Sequence, residues 1–321
     1  MPMIDMPLKE LYKFEGLNER PADMEEYWDR AIAEMEALGT DCELIPADFQ
    51  IPGAECFELY FTGVGGARIL GRLARPKRQA GVKRPAVCIF HGYSGSGGSF
   101  SGLLRWVAAG FAAVNLDCRG QAGKSEDIVP VRGNTLHGQI IRGLADPDPD
   151  KLYFRNVFLD TAQLARIVMA MDDVDETRVC ATGGSQGGGL TLACAALTPK
   201  LFRAAPMMPF LCDYRRVWEM DLDIHAYSEL REFFRYTDPR HEHEAEYFTK
   251  LGYIDNQHLA HRIRAEVKMF TGLMDNICPP STQFAAYNKI TAKKSVVIYP
   301  DFAHEGYPES DDLCMSFFLA D

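Results

Sequence analysis

The sequence predicts an α/β fold in which a mostly parallel, twisted sheet carries helices on both faces. Short strand-like segments come first, and helix-compatible and strand-like segments then interleave as far as the C-terminus. Strands joined by intervening helices favour a parallel sheet that is covered on both sides. The chain has 321 residues, of which 47% are hydrophobic, so it can bury one large core or two ordinary ones. We expect a single domain over residues 1–321.

The first predicted element is an amphipathic helix over residues 23–38, within a helical extension at residues 1–50. Its apolar residues recur at helical spacing. They are Met24, Tyr27, Trp28, Ala31, Ile32, Met35 and Leu38. Asp23 suits the N-cap and Gly39 suits the C-terminal stop. We expect this helix to pack against the rest of the domain and to carry no chemistry.

Apolar, β-branched runs predict the strands. They lie at residues 56–61, 68–73, 86–90, 112–116, 177–182, 267–272 and 295–300. Two stretches fit this alternation poorly, and we interpret them as insertions. Residues 120–150, rich in Gly, Pro and Asp, are too long for an ordinary connection and should line the site or mediate assembly. Residues 212–261 contain helix-compatible runs at 228–234 and 242–250 and should cap the sheet near its functional edge.

Composition narrows the class of protein. The net charge of -11 argues against a surface for nucleic acid or for an anionic membrane. The longest mostly apolar run, residues 106–116, is too short to span a bilayer. The first residues lack a basic region followed by an apolar core, so no secretory signal is expected.

Cysteine usage indicates a reducing compartment. The chain has nine cysteines, an odd number, and no Cys-x-x-Cys pair. Five of them lie within or beside apolar segments, as buried thiols usually do: Cys88, Cys118, Cys180, Cys194 and Cys278. We therefore expect no disulfide scaffold and a cytoplasmic location.

The most informative motif is Gly-Gly-Ser-Gln-Gly at residues 183–187, between a predicted strand and a small-residue helical run. This context indicates a nucleophile elbow, a tight turn that exposes the Ser185 hydroxyl to a base and to oxyanion donors. We expect Gly184 and Gly187 to leave room for the strained turn and for close packing of strand and helix. An ordinary Gly-rich turn is the alternative.

On such a fold the acid and then the histidine follow the serine, each after a late strand. Asp275 follows the predicted strand at 267–272, and His304 follows the one at 295–300, so they are the candidate acid and general base. Asp301 and Glu305 are rivals for the acid. Asp301 lies on the same loop as His304, whereas an acid from another strand can better approach the imidazole from behind. Glu305 is interpreted as a loop or interface salt-bridge partner.

An oxyanion needs preorganised N–H donors. We choose the backbone N–H of Gln186, which follows the serine, and that of Tyr93, in the Gly-rich loop after the strand at 86–90. That loop has no Gly-Lys-Ser/Thr ending and no dinucleotide fingerprint, so nucleotide binding is not expected. The other histidines are expected to be solvated: His91, His137, His225, His241, His243, His258 and His261. His-x-His at 241–243 and His-x-x-His at 258–261 lack nearby cysteines, so we predict neither a metal site nor a cofactor.

Taken together, these motifs resemble carbohydrate esterase family seven, the acetyl xylan esterases and cephalosporin C deacetylases. The resemblance rests on Arg119, Gly120 and Gln121, on residues 183–188 and on the pair His304 and Glu305. Residues 21–28, 142–147 and 272–280 also match the family, so the resemblance covers nearly the whole chain. It departs from the family at Ala122, which precedes Gly123, and at Tyr307, where members often have a small residue.

The resemblance implies an α/β-hydrolase fold and deacetylation of small O-acetylated sugars, xylo-oligosaccharides and cephalosporin C. By position it assigns Ser185 as nucleophile, Asp275 as acid, His304 as base, and the N–H groups of Tyr93 and Gln186 as the oxyanion hole. It also implies a doughnut-shaped hexamer in which the insertion after residue 121 contributes to subunit contacts. The alternatives are a lipase or peptidase on the same fold, and a non-catalytic binding protein.

Overall fold

The computed structural model describes residues 4–133 and 136–320. Within them, nine strands form one sheet. The strands are β1 Glu43–Pro46, β2 Ala54–Thr62, β3 Arg68–Pro76, β4 Arg84–Phe90, β5 Ala112–Leu116, β6 Val174–Gly184, β7 Arg203–Met207, β8 Glu266–Gly272 and β9 Lys294–Tyr299. All the strand segments expected from the sequence are present, mostly with wider bounds. The sequence missed β1 and β7.

The sheet is mixed, in the order β1-β2-β3-β5-β4-β6-β7-β8-β9. Strand pairs from β1 to β5 along this order are antiparallel. All pairs from β5 to β9 are parallel, so the carboxyl ends of β4, β6, β8 and β9 meet at one edge. Loops that follow these four strands are therefore brought together.

Helices cover both faces of the sheet, as the sequence predicts. They are α1 Leu8–Leu11, α2 Met24–Glu36, α3 Leu104–Ala108, α4 Tyr153–Met169, α5 Gln186–Leu197, α6 Tyr214–Glu219, α7 Ser228–Thr237, α8 Glu244–Leu251, α9 Asn256–Leu259, α10 Pro280–Lys289 and α11 Ser310–Leu319. The larger core joins α2, α4 and α5 to one face, and a second apolar cluster joins α3 and α11 to the other. None of the described helices is long and apolar enough to cross a membrane.

The expected N-terminal helix is present as α2, which buries Met24, Tyr27, Trp28, Ala31 and Met35. It is two residues shorter at its C-terminal end than the apolar pattern suggests, and Leu38 lies outside it and is exposed. The turn that ends this region has Gly39 at a φ of 73°, a conformation that glycine adopts without strain.

The two insertions differ in structure. Residues 212–261 carry α6 to α9, including the two helical runs expected there. Among the described residues of 120–150, regular structure is limited to a 3-10 turn that begins at Pro149. Residues 134 and 135 of that first insertion lie outside the described part of the chain.

Candidate active site

Ser185 lies on a sharp turn between β6 and α5, with a φ of 58° and a ψ of -119°. Its N–H donates to the Met207 carbonyl at 3.0 Å, and its carbonyl accepts the N–H of Gly189 at 3.1 Å and that of Phe210 at 3.0 Å. Left-handed backbone is unfavourable for a residue with a Cβ, so these three bonds hold a conformation that the local sequence alone would not favour. The hydroxyl is thereby presented at the carboxyl edge of the sheet.

Close packing at the elbow depends on Gly183 and Gly187, which corrects the expectation for Gly184. A Cβ at Gly183 would lie 2.5 Å from the Phe90 carbonyl oxygen, and one at Gly187 would clash with the same atom. A Cβ at Gly184 would meet nothing within 4 Å. The reason is the pleat: alternate residues of a strand face opposite sides, and Gly183 faces the neighbouring backbone while Gly184 faces open space.

Ser185, His304 and Asp275 form one line of hydrogen bonds. His304 Nε2 lies 2.9 Å from Ser185 Oγ, and His304 Nδ1 lies 2.9 Å from Asp275 Oδ2. An ionised carboxylate accepts only, so Nδ1 carries the proton and Nε2 is left to accept the serine O–H. The Asp275 carboxylate is fully buried, and the His304 side chain is 16% exposed. The arrangement can therefore move a proton from the hydroxyl to the imidazole.

The loop after β8 fixes the Asp275 carboxylate. Its Oδ1 accepts the N–H groups of Ile277 at 2.9 Å and Cys278 at 2.8 Å, which leaves Oδ2 for His304. The two rival carboxylates lie elsewhere. Asp301 is exposed, and Glu305 Oε1 accepts the Ala303 N–H at 3.1 Å, a contact within its own loop.

The loop after β4 carries Tyr93 and is anchored by His91. The Cys118 N–H donates to His91 Nε2 at 3.0 Å, so the proton sits on Nδ1 and is donated to the Gly92 carbonyl at 2.8 Å. That carbonyl belongs to the same peptide unit as the Tyr93 N–H. The orientation of the proposed oxyanion donor is therefore set by the His91 ring. Burial lowers the pKa of His91, which favours the neutral form that these two bonds require.

Two histidines thus correct the expectation of solvated surface. His91 is partly buried and bonded at both ring nitrogens, and His258 is 5% exposed. His258 Nε2 donates to the carbonyls of Asn18 and Glu19, both at 3.1 Å, and burial lowers its pKa to about 4. Cys118 lies 27 residues from His91, and Asn18 and Glu19 lie 240 and 239 residues from His258, so no local pattern signalled the burial of either ring.

Arg119 and Gln121, in the loop after β5, hold neighbouring elements of the site in place. The Arg119 guanidinium is fully buried and donates to both carboxylate oxygens of Asp160, at 2.7 and 2.6 Å, and to the Val64 carbonyl at 3.1 Å. A planar fork matches a carboxylate in this way. Gln121 instead bonds the side chain of Gln186, the residue after the elbow serine. The motif therefore connects β5 to α4 and to the start of α5.

A possible ligand set for a metal ion overlaps this line of bonds. Ligand atoms of Asp275, Cys278 and His304 lie within 4.8 Å of one another, and no other such group occurs among the described residues. Burial raises the pKa of the Cys278 thiol well above its ordinary range. The thiolate, which is the form that binds metals, is therefore disfavoured. Asp275 and His304 are therefore better suited to proton transfer from Ser185 than to binding a metal ion.

Comparison with known proteins decides the family. A family model described as acetyl xylan esterase (AXE1) matches residues 1–321. The chain belongs to the acetyl xylan esterase family. It is therefore a carboxylic ester hydrolase.

Solved structures agree with this family. An acetyl xylan esterase from Thermoanaerobacterium sp. JW/SL YS485 is 53% identical and superposes with a TM-score of 0.96 over 98% of this chain and 99% of that one. The acetyl xylan esterase from Paenibacillus sp. R4 is 34% identical, with a TM-score of 0.91 over 98% and 99% of the two chains. An acylaminoacyl peptidase at 17% identity has a TM-score of 0.59 over 84% of this chain and 42% of its own, and shares the α/β-hydrolase fold alone.

A curated relative matches a smaller part. Acetyl esterase Axe7A of Xylanibacter ruminicola is 29% identical over 168 residues, which are 52% of this chain. The matched region spans 36% of that protein, so this chain corresponds to about a third of its length.

Proposed function

We propose that this acetyl xylan esterase family member is a serine esterase that removes acetyl groups from small O-acetylated carbohydrates and from cephalosporin C. The line of hydrogen bonds from Ser185 through His304 to Asp275 carries the proposal. The substrate class is supported by the names of the two solved relatives, both acetyl xylan esterases. The cephalosporin C activity is supported by the motif resemblance.

In the first half of the proposed reaction, Ser185 Oγ attacks the acetyl carbonyl carbon as His304 Nε2 takes the hydroxyl proton. Negative charge develops on the carbonyl oxygen, where we place the N–H groups of Tyr93 and Gln186 as donors. Neither N–H has a hydrogen-bond partner in the described part of the chain, so both are free to donate. The bond to the sugar oxygen then breaks, and that oxygen takes the proton from His304.

In the second half, water attacks the acetyl group on Ser185 and gives its proton to His304. Collapse of the tetrahedral intermediate releases acetate and returns the proton to Ser185 Oγ. Asp275 holds the tautomer and stabilises the imidazolium in both halves, without itself being protonated. The cycle consumes one water and leaves the enzyme unchanged.

We propose two further properties. Assembly into a hexamer is supported by the motif resemblance, with residues 120–150 contributing to the contacts. Light scattering would test the assembly, and a monomer would contradict it. A reducing, cytoplasmic location is supported by nine free cysteines, eight of them buried.

The experiment is acetate release from acetylated xylobiose and cephalosporin C, beside p-nitrophenyl esters from acetyl to octanoyl. Wild type should favour acetyl, and Ser185→Ala should lose nearly all turnover. Rapid quenching should trap one acetyl group on Ser185, detectable by peptide mass. A preference for octanoyl would indicate a lipase, and equally inert wild type and variant would indicate a binding protein.

The acid is tested by a matched pair. Asp275→Asn should lower kcat by about 10³- to 10⁴-fold, because an amide would stabilise the wrong imidazole tautomer. Asp301→Asn makes the same chemical change at an exposed carboxylate three residues from His304 and should stay near wild type. The reverse result would reassign the acid.

A further inference from the structure

A buried carboxylate in the cap, the insertion at residues 212–261, takes no direct part in the proposed reaction. Glu229 lies in α7 and is 3% exposed. Its Oε2 accepts a hydrogen bond from the Ile141 N–H at 3.0 Å, and its Oε1 accepts one from the Tyr93 hydroxyl. The N–H of Gln139 also donates to the Tyr93 hydroxyl oxygen, at 3.1 Å. Main-chain atoms of the first insertion and one tyrosine therefore surround this carboxylate.

The insertion is shaped to hold Glu229. Gly138 has a φ of 145°, and a Cβ there would clash with Glu229 Oε2. A glycine is therefore required for the chain to approach the carboxylate. Burial raises the pKa of Glu229 to about 7, and the hydrogen bonds that oppose this shift come from a phenol and backbone N–H groups rather than from a basic side chain. A buried acid held only by neutral donors is costly, which points to a use beyond packing.

Tyr93 connects this carboxylate to the elbow. Its ring packs edge-on against Phe210, with ring centroids 5.6 Å apart, and the Phe210 N–H donates to the Ser185 carbonyl at 3.0 Å. Its backbone N–H is one of the two proposed oxyanion donors. On the preceding peptide, His91 holds the Gly92 carbonyl at 2.8 Å. Glu229 therefore fixes the side-chain end of a residue whose main-chain end is fixed by His91.

We propose that Glu229 is a positioning residue of the oxyanion hole. Through the Tyr93 hydroxyl it holds the main chain of Tyr93 in the orientation that donates to the developing oxyanion. Through the backbone of residues 139–141 it also makes that orientation depend on how the first insertion docks on the cap. This role rests on the proposed function.

The test uses Glu229→Gln, Tyr93→Phe and the double variant. A glutamine that still accepts from Ile141 would present its amide to Tyr93, whose oxygen already receives the Gln139 N–H. The Tyr93 hydroxyl then loses the carboxylate to which it donates, and with it the charge-assisted bond that anchors the ring. Tyr93→Phe removes the same bond from the other side and keeps the backbone N–H. Each single variant should lower kcat by about 10- to 100-fold, less than loss of a whole oxyanion donor, with KM within about twofold.

Because both changes break one link, the double variant should be no slower than the slower single variant. A methyl boronic acid, whose tetrahedral adduct on Ser185 places an oxygen in the oxyanion hole, should bind the single variants more weakly in proportion to their loss of kcat. Glu232→Gln is the matched control: it makes the same change at an exposed position of α7 and should match wild type.

A merely structural role predicts a different result. Glu229→Gln would then lower the melting temperature and leave kcat per folded site and boronate affinity unchanged, which would overturn the proposal. The comparison is made on the ester that wild type hydrolyses fastest. If wild type prefers a longer acyl group, the proposed substrate is overturned. The comparison of the variants on that longer ester still decides the role of Glu229.

Discussion

Gln121 and Gln186 exchange two side-chain hydrogen bonds. Gln121 Nε2 donates to Gln186 Oε1 at 2.8 Å, and Gln186 Nε2 donates to Gln121 Oε1 at 3.1 Å. Gln186 is fully buried, and its Nε2 also lies 3.4 Å from the Gly92 carbonyl. Gln121 Nε2 is bonded in addition to the Tyr153 hydroxyl at 3.1 Å. One amide pair therefore ties the loop after β5 to the residue that follows the elbow serine.

This pair predicts the effect of Gln121→Ala. Gln186 Nε2 would keep its carbonyl neighbours, but the buried Gln186 Oε1 would lose the bond from Gln121 Nε2. Leaving a buried acceptor unsatisfied costs about 1–3 kcal/mol, so the free energy of unfolding should fall by that amount in urea titrations. Because Gln186 also supplies a proposed oxyanion donor, kcat should fall more than KM rises.

The exposed Gln79 provides the control, since Gln79→Ala removes the same side chain where nothing buried depends on it. It should stay within about 0.5 kcal/mol of wild type. Equal stability for the two alanine variants would show that the amide pair contributes nothing to folding.

The elbow predicts that alanine is tolerated at Gly184 and not at Gly187. Gly187→Ala forces a Cβ against the Phe90 carbonyl, a backbone atom that cannot move without shifting β4. We expect a loss of about 3–5 kcal/mol of stability or an insoluble protein. Gly184→Ala places its methyl group in open space and should leave the melting temperature almost unchanged. Thermal unfolding followed by circular dichroism compares them directly, and similar melting temperatures would contradict the packing described for this turn.

Seven of the nine strands and the elbow were predictable because they depend on local pattern. Apolar runs ending in turn residues marked β8 and β9, and Asp275 and His304 follow those ends directly. β7 was missed because Arg203–Met207 contains Ala and Pro and lacks β-branched residues, so its strand conformation comes from its neighbours β6 and β8. β1 was missed because it is a short, largely exposed edge strand.

Long-range polar contacts could not be predicted from pattern. Glu229 and Tyr93 are 136 residues apart in the chain, and only the docking of the cap brings them together. The same is true of His258, whose partners near Asn18 lie 240 residues away. The elbow motif marked Gly183, Gly184 and Gly187 alike, because spacing identifies an elbow without showing which side of the strand meets the next backbone.

The buried pair Asp213 and Asp255 links the N-terminal extension to the cap and predicts a pH dependence. Asp213 accepts the N–H groups of Leu17 at 2.9 Å and Asn18 at 2.8 Å, and Asp255 accepts the Asp213 N–H at 3.0 Å. Burial raises the pKa of both carboxyl groups, and repulsion from Asp255 raises that of Asp213 further. Lys289, whose Nζ donates to Gln257 at 2.7 Å, is the nearby positive group that opposes the shift in Asp255.

The sign of the effect follows from these shifts. In the unfolded chain both groups ionise near a pKa of about 3.9, whereas the folded state holds their protons to higher pH. The folded state therefore binds more protons in that window, and this pair's contribution to stability falls as pH rises through the folded pKa values.

Asp255→Asn removes one charge of the pair. Relative to wild type, the free energy of unfolding of Asp255→Asn should improve by about 1–3 kcal/mol between pH 5 and pH 8. Urea titrations at both pH values measure that difference, and Asp312→Asn, at an exposed position, should show none. A difference between Asp255→Asn and wild type that does not change with pH would mean that burial and mutual repulsion do not raise the pKa values of this pair.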